Sequence, residues 1–376
     1  MSDEAIPLIS LTRDLIAFNT VNPPGNEGPC AQYLAGMLEA GGFEVVLLPF
    51  EPGRPNLIAR SGTADTSPLC FSGHLDTVPL GSARWERDPL GGTVAGDYIY
   101  GRGASDMKGG VAAMVHAALK LRATGGDRAS LMLALTSGEE TGCLGAAALL
   151  KADPPLRPAG ALIIGEPTSN RPLVGHRGAL WLELQTTGKT AHGATPHLGK
   201  NAVYRAAEVV RRLESYRFSA PDHPIMGFPT LNVGTISGGL NINSVPDRAV
   251  VEVDVRTLPG QSHEEEISRI QSAVGRDVAI RVIQSVEGVA TDPRHPWVVG
   301  VTALMSSLLN RPLGPAAAPY FTDAAFLAPA LGHPPTLILG PGDAAMAHQT
   351  DEHCTLSAIR TAADAYFEIG RQWCGI

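Results

Sequence analysis

No clustered basic run, no CxxC pair and no internal repeat occurs in this 376-residue chain, and each absence narrows what it does. Without a basic patch, and with a formal net charge of −8, the protein offers little to a nucleic acid or an anionic membrane. Neither partner is expected, and a small-molecule substrate is favoured. No apolar stretch reaches the roughly 18 residues of a bilayer span. The opening segment MSDEAIPLISLTRDLIAF starts acidic and is broken by Arg13 and Asp14, so it lacks the basic and long apolar regions of a secretory signal. The five cysteines, Cys30, Cys70, Cys143, Cys354 and Cys374, are odd in number and widely spaced, which reads as free thiols in a reducing compartment. A cytoplasmic location is the expectation. Cys143 has two readings, a catalytic thiol or a small buried residue, and the second is preferred because free cysteine is so often simply buried.

Charged residues are also scarce, 18% against 44% apolar, which is the composition of a globular chain. The length exceeds what one core normally supports, so two domains are expected. Amphipathic stretches predict helices over about 5–18, 28–41, 107–123 and 143–151. Between them lie the short apolar runs FEVVLLPF, PNLIAR, PLCFSG, LMLALTSG and AGALIIGE, and this alternation predicts an α/β domain with a mostly parallel sheet and helices on both faces. From about residue 177 the pattern changes. ALWLELQTTG, TLNVGTISGG, RAVVEVDVRTL and DVAIRVIQSVE alternate as two-faced strands around helices at 201–216 and 263–274. That is an α+β domain, an antiparallel sheet with two helices, inserted at 177–288 into a discontinuous domain of 1–176 and 289–376. The outer domain resumes with a helix at 296–310, the strand TLILGPG and a helix at 355–371.

The strand ends of the outer domain carry the chemistry. PLCFSGHLDTVP places His74 and Asp76 after one strand, GRGASDMKGG places Asp106 before a helix, and SGEE places Glu139 and Glu140 after the next strand. IIGEPT then supplies Glu166, and GPGDAAMAHQTDE supplies His348. A single His or Asp in a loop is usually a cap, turn or surface residue. Five sets at successive strand ends converge on one crevice. Two histidines and three carboxylates suit two borderline divalent ions with an aspartate bridging them. Two residues past His74, Asp76 is placed to accept the second imidazole N–H and so orient the ring. Adjacent glutamates repel, and the Glu139–Glu140 pair reads either as a solvated turn or as two carboxylates facing strong positive charge. GRGASDMKGG lacks the spacing of a phosphate-binding loop, and Lys108 within it reads as a structural cation near Asp106.

The ordered set SGHLDTVP, GRGASDMKGG, SGEETG, IGEPT, GKTAHGATP, NSVPDRAVVEVDVR and GPGDAAMAHQTDE resembles the di-zinc hydrolases that include acetylornithine deacetylase, succinyl-diaminopimelate desuccinylase, aminoacylase and glutamate carboxypeptidase. By that resemblance His74 and Glu166 hold one zinc, Glu140 and His348 the other, Asp106 bridges them, and Glu139 is the general base. Cobalt is a possible substitute metal. The inserted domain is then a dimerisation and lid domain, in which His192 polarises the scissile carbonyl while Asn243 and Arg256 hold the substrate. A strand-face salt bridge is the other reading of Arg256. The resemblance implies a homodimeric enzyme that hydrolyses the amide of an N-acyl amino acid. The rivals are a metallocarboxypeptidase or dipeptidase of the same chemistry and, from another class, a non-catalytic metal-dependent binding protein.

Overall fold

A computed structural model describes residues 7–63, 67–153 and 156–376. The chain divides into two compact units. The first takes in the chain up to Gly175, with Ala290–Ala316 and Thr322–Ile376; the second is His176–Val289 with Ala317–Phe321. Nothing in the sequence of that last short stretch marks it as part of the second unit.

The first unit is built on a six-stranded sheet in the order Glu44–Glu51, Arg54–Ser61, Leu131–Thr136, Leu69–His74, Ala161–Ile164, Thr336–Ile338. The last four run parallel, and their near-continuous apolar sequences are buried on both faces, as parallel strands under helices must be. The first two form an antiparallel hairpin, because Pro52 and Gly53 alone separate the paired residues Glu51 and Arg54 and no crossover fits in two residues. The strand Arg54–Ser61 also pairs antiparallel with Leu131–Thr136. Parallel alignment puts the four C-terminal ends on one edge, with His74 opposite Thr136 and Ser72 opposite Ile164.

The first described helix is Leu8–Ala17; residues 5 and 6 of the expected helix lie outside the described residues. Gly28–Ala40, Gly109–Gly125, Leu144–Leu150, Pro296–Leu308 and Leu356–Cys374 follow, each within a few residues of its sequence-predicted span. Two features were not anticipated. One is a short helix, Ala324–Ala330, hidden by Pro329 inside it. The other is a small sheet in which His353–Thr355 pairs antiparallel with Tyr98–Tyr100, itself paired with Thr93–Ala95.

The second unit is a four-stranded antiparallel sheet in the order Thr230–Gly238, Arg248–Thr257, Gly178–Thr187, Ala279–Val286, with helices Ala202–Glu214 and His263–Val274. Alternate residues of its central strands, Leu180, Leu182, Leu184, Val251, Val253 and Val255, bury with Ala206, Val209 and Ile270 from the helices. Asn201 and Ser262 cap those helices by accepting main-chain N–H bonds, so each begins where its amphipathic pattern begins. Among the described residues, no helix of the protein is long and apolar enough to cross a membrane.

In the first unit Phe71 is wholly buried beside Tyr366, with ring centroids 5.4 Å apart. Phe71→Ala is expected to destabilise the protein by about 3–5 kcal/mol, the usual cost of emptying an aromatic core site. Urea denaturation measures it, and a loss below about 1 kcal/mol would contradict this packing.

Candidate metal centre

His74 is the last residue of its strand, and at 1% exposure it cannot reach solvent for a partner. Its Nε2 lies 3.0 Å from Asp106 Oδ1 and 3.9 Å from Glu166 Oε1. The other Asp106 oxygen, Oδ2, is 3.4 Å from His348 Nε2, which is also 3.1 Å from Glu140 Oε2. Asp106 therefore sits between two imidazoles with one oxygen toward each. The ligating atoms of His74, Asp106 and Glu140 all lie within 4.8 Å of one another. Glu140 Oε1 is buried without a hydrogen-bond partner, an arrangement that a cation would relieve. The donors are imidazole nitrogens and carboxylate oxygens, the chemistry that suits zinc and its neighbours. This constellation fits a metal.

Two glycines make the convergence possible. A Cβ on Gly340 would stand 2.1 Å from the Gly165 carbonyl oxygen, and one on Gly342 would stand 2.1 Å from that of Ser105. The GPG segment thus lies directly against the main chain leading to Glu166 and to Asp106, where no larger residue fits.

Two sequence readings are corrected here. Asp76 does not orient His74 through its carboxylate: the Nδ1 partner is the Asp76 main-chain carbonyl at 2.9 Å, while the nearer carboxylate oxygen is 3.7 Å away. The Asp76 carboxylate instead accepts the Glu139 and Glu140 main-chain N–H groups at 3.0 and 3.1 Å, and an Asn22 side-chain N–H at 2.8 Å. It orients the glutamate loop. Lys108 is a buried cation, but it donates to the Phe18 carbonyl at 2.8 Å, and burial pulls its ammonium down to about 8. The Glu139–Glu140 pair is not a solvated turn, since Glu139 is buried. Its carboxyl is pushed well above the ordinary range by burial and by the charge of Glu166.

Two further buried carboxylates belong to the site. Glu352 is fully buried and its carboxylate accepts N–H groups from Gly103, Ser105 and Asp106, each at 2.9 Å, plus Arg102 Nη1 at 2.8 Å. It ties the Asp106 loop to the segment carrying His348, four residues earlier. That Glu352 follows His348 in the same motif was the available signal. Asp323, in a stretch with no ligand-like pattern, lies close to Glu139 and Cys143 and accepts the Thr136 hydroxyl. Cys143 is fully buried, as in the preferred reading, and burial together with Glu139 pushes its thiol well up, away from the thiolate a nucleophile needs.

In the second unit the structure brings two of the three expected residues together. His192 bridges to Ser244, and the Gly193 N–H donates to the Asn243 carbonyl at 2.7 Å, so His192 and Asn243 occupy adjoining exposed loops. Arg256 lies apart on its strand, where its Nε contacts Asp254 at 3.0 Å.

The family model described as peptidase family M20/M25/M40 matches residues 70–372. The chain belongs to that family. It is therefore an enzyme of a hydrolase family. It is 32% identical to an acetylornithine deacetylase of Vibrio vulnificus (strain CMCP6), over 97% of this chain and 98% of that protein. It is 29% identical to a probable succinyl-diaminopimelate desuccinylase of Staphylococcus epidermidis (strain ATCC 35984), over 96% of each. In fold it matches an M20 family metallo-carboxypeptidase, Sso-CP2, from Sulfolobus solfataricus, with a TM-score of 0.80, 18% identity and full coverage of both chains.

Protons and cations compete for the donors of this M20-family site. Burial would pull the His74 imidazole down, but Asp106 and Glu166 outweigh it and hold it well above its ordinary range. Hydrogen bonds to Asp106 and Glu140 raise His348 to about 10, and burial raises Glu140 and Glu166. At neutral pH the His348 imidazole holds a proton that a metal must displace, and the upward shifts of the other donors act in the same direction, because only deprotonated ligands bind. Titration with Zn2+ or Co2+ in buffers of different ionisation enthalpy is expected to show net proton release at pH 7 and affinity that rises with pH. An affinity independent of pH would contradict the ligand set.

Proposed function

We propose that the protein is a cytoplasmic, homodimeric metallohydrolase that cleaves the amide of an N-acyl amino acid, giving a carboxylate and a free amino acid. The single observation that carries the reading is the buried Glu139 carboxyl one residue from Glu140, beside the His74–Asp106–His348 line. A protein that only bound metal would have no use for a second buried, unligated carboxylate at that place. We assign His74 and Glu166 to one ion, Glu140 and His348 to a second, and Asp106 to both, with zinc as the metal and cobalt as a substitute. When bound, such ions supply Lewis acidity, acidifying water and polarising a carbonyl. Glu139 takes the proton of the attacking water and passes it to the leaving amine, and its buried position among other carboxylates suits a carboxyl that must hold a proton in mid-reaction. Asp76 keeps both glutamates aimed.

Deacylation is preferred to peptide cleavage because the deacetylase and desuccinylase relatives are 32% and 29% identical to this chain, against 18% for the metallo-carboxypeptidase. The metallo-carboxypeptidase likeness keeps peptide cleavage as the second reading. In the second unit we assign His192 to the scissile carbonyl and Asn243 and Arg256 to the substrate, Arg256 through its carboxylate. Dimerisation is supported by the strand Thr230–Gly238, an unpaired sheet edge bearing exposed Ile236, followed by fully exposed Leu240 and Ile242.

Glu139→Gln is expected to keep its metals by elemental analysis and to lose about 10²- to 10⁴-fold in turnover, the range for a missing general base. The substrate panel is N-acetyl-, N-succinyl- and N-formyl-amino acids against dipeptides and glutamate conjugates, with and without added Zn2+ or Co2+. Near wild-type turnover in Glu139→Gln would overturn the assignment of the base, and turnover of dipeptides alone would favour the peptidase.

A second prediction concerns which subunit His192 serves. In a two-fold dimer an exchanged residue is exchanged reciprocally. Glu139→Ala and His192→Ala homodimers should each be nearly inactive. When equal amounts are mixed, half the dimers pair the two variants, and each such dimer has one intact site of two if His192 acts across the interface. About a quarter of wild-type activity should then return. No recovery, with mixed dimers confirmed by differential tags, would place His192 in its own subunit's site.

A further inference from the structure

Three consecutive main-chain N–H groups of the glutamate loop are held from behind by buried carboxylates. The Glu139 and Glu140 N–H groups go to Asp76, as described, and the Gly138 N–H donates to Glu27 Oε1 at 3.1 Å. Glu27 is wholly buried and lies far away in sequence, at the start of the helix Gly28–Ala40. A forked pair with Arg54 holds it: Nε is 2.9 Å from Oε2 and Nη2 is 2.7 Å from Oε1. Arg54 is itself buried, with Nη1 on Glu51 at 2.9 Å.

The same hairpin strand supports the loop at two more points. The Ser137 hydroxyl donates to the Pro55 carbonyl at 2.7 Å, and the Ser137 N–H to Asn56 Oδ1 at 3.1 Å. Gly138 has φ +76, and a Cβ there would lie 3.1 Å from Arg54 Nη2, so the loop is seated closely against the guanidinium.

A buried ion pair is weak evidence for stability, because desolvation offsets most of its attraction and an apolar pair of similar volume often serves as well. What this pair provides that an apolar pair would not is an acceptor at a fixed point. We propose that Glu27 and Arg54 are positioning residues: Arg54 fixes the Glu27 carboxylate, Glu27 fixes the Gly138 N–H, and with Asp76 this sets the directions in which the Glu139 and Glu140 side chains leave the strand end. Neither residue touches the reacting atoms. The inference rests on the proposed roles of Glu139 as base and Glu140 as ligand.

The test compares two variants that both remove the charge pair and so leave no unpaired ion in the core. Glu27→Leu/Arg54→Met deletes the acceptor; Glu27→Gln/Arg54→Met keeps a carbonyl oxygen in its place. The leucine variant is expected to lose about 10- to 100-fold in kcat with KM little changed, and to show an altered visible spectrum of its Co2+ form. The glutamine variant is expected to recover most of the kcat and the wild-type spectrum. Equal kcat and equal spectra in the two variants would overturn the proposal. Glu27→Asp, which keeps the ion pair but draws the acceptor back, decides the matter if the leucine variant does not fold. It should lose roughly tenfold or more in kcat at an unchanged melting temperature, and full activity would overturn the proposal. The wild-type protein separates the two levels of inference. If it takes up no Co2+ and hydrolyses nothing, the proposed function falls and this inference with it; if it does both, the variants judge the inference alone.

Discussion

The geometry of the candidate centre depends on one buried carboxylate, Asp106, being held in place at both ends. Its side chain faces His74 with one oxygen and His348 with the other, while its own N–H is bound by Glu352. Burial would push this carboxyl up, and the two imidazoles outweigh that and keep it below the ordinary range. Glu352 is the residue that makes this possible. By gathering three N–H groups of the loop 103–106 and the Arg102 guanidinium, it converts an irregular segment into a rigid one and joins it to the chain that carries His348. The small sheet formed by His353–Thr355 and Tyr98–Tyr100 continues the same join immediately beyond Glu352.

A second constraint is the density of negative charge. Asp76, Asp106, Glu139, Glu166, Asp323 and Glu352 are all buried in the first unit. Asp76 and Glu352 offset part of the cost of burial by accepting main-chain N–H groups, though burial still raises Glu352. Asp106 is held down by its two imidazoles, whereas burial and neighbouring carboxylates push Glu139 and Glu166 well up, and burial pushes Asp323 up to about 6. Such a cluster must be neutralised by protons or by cations. Part of the acidity visible in composition is therefore interior and chemical rather than a solvated surface.

How much of this was legible in the sequence depends on what kind of signal each feature leaves. Parallel strands buried on both faces leave apolar runs, and polar residues at their ends stand out, so His74, Glu139, Glu140 and Glu166 could be found. The role of Asp76 could not: a spacing of two residues does not say whether its carbonyl or its carboxylate meets the imidazole, and only the folded loop decides. Glu27 left no signal because its partner in the loop is a main-chain N–H, which every residue but proline has, and Arg54 none because its hydrogen bonds reach the loop only through Glu27. Asp323 was invisible for a related reason, since it meets the site through packing of a segment that carries no ligand pattern. The hairpin at Pro52–Gly53 was legible in principle, because two residues cannot cross over, but each of its strands resembles the parallel ones in composition.

Arg256 shows how the two readings of a residue can both hold. The Asp254 contact is the strand-face ion pair that composition alone would suggest, made between residues two apart on one face of a strand. Asp254 also accepts the Trp181 indole N–H at 3.0 Å, so its carboxylate is itself fixed. The bond engages Arg256 Nε, which belongs to one edge of the guanidinium, and the planar fork presents its Nη edge separately. In the proposed role a substrate carboxylate is received on that second edge, and Asp254, by holding the first, presets the plane of the fork. In that role the ion pair on the strand would pre-organise the arginine for a second anion, reducing the entropy lost in ordering its long side chain when a substrate binds.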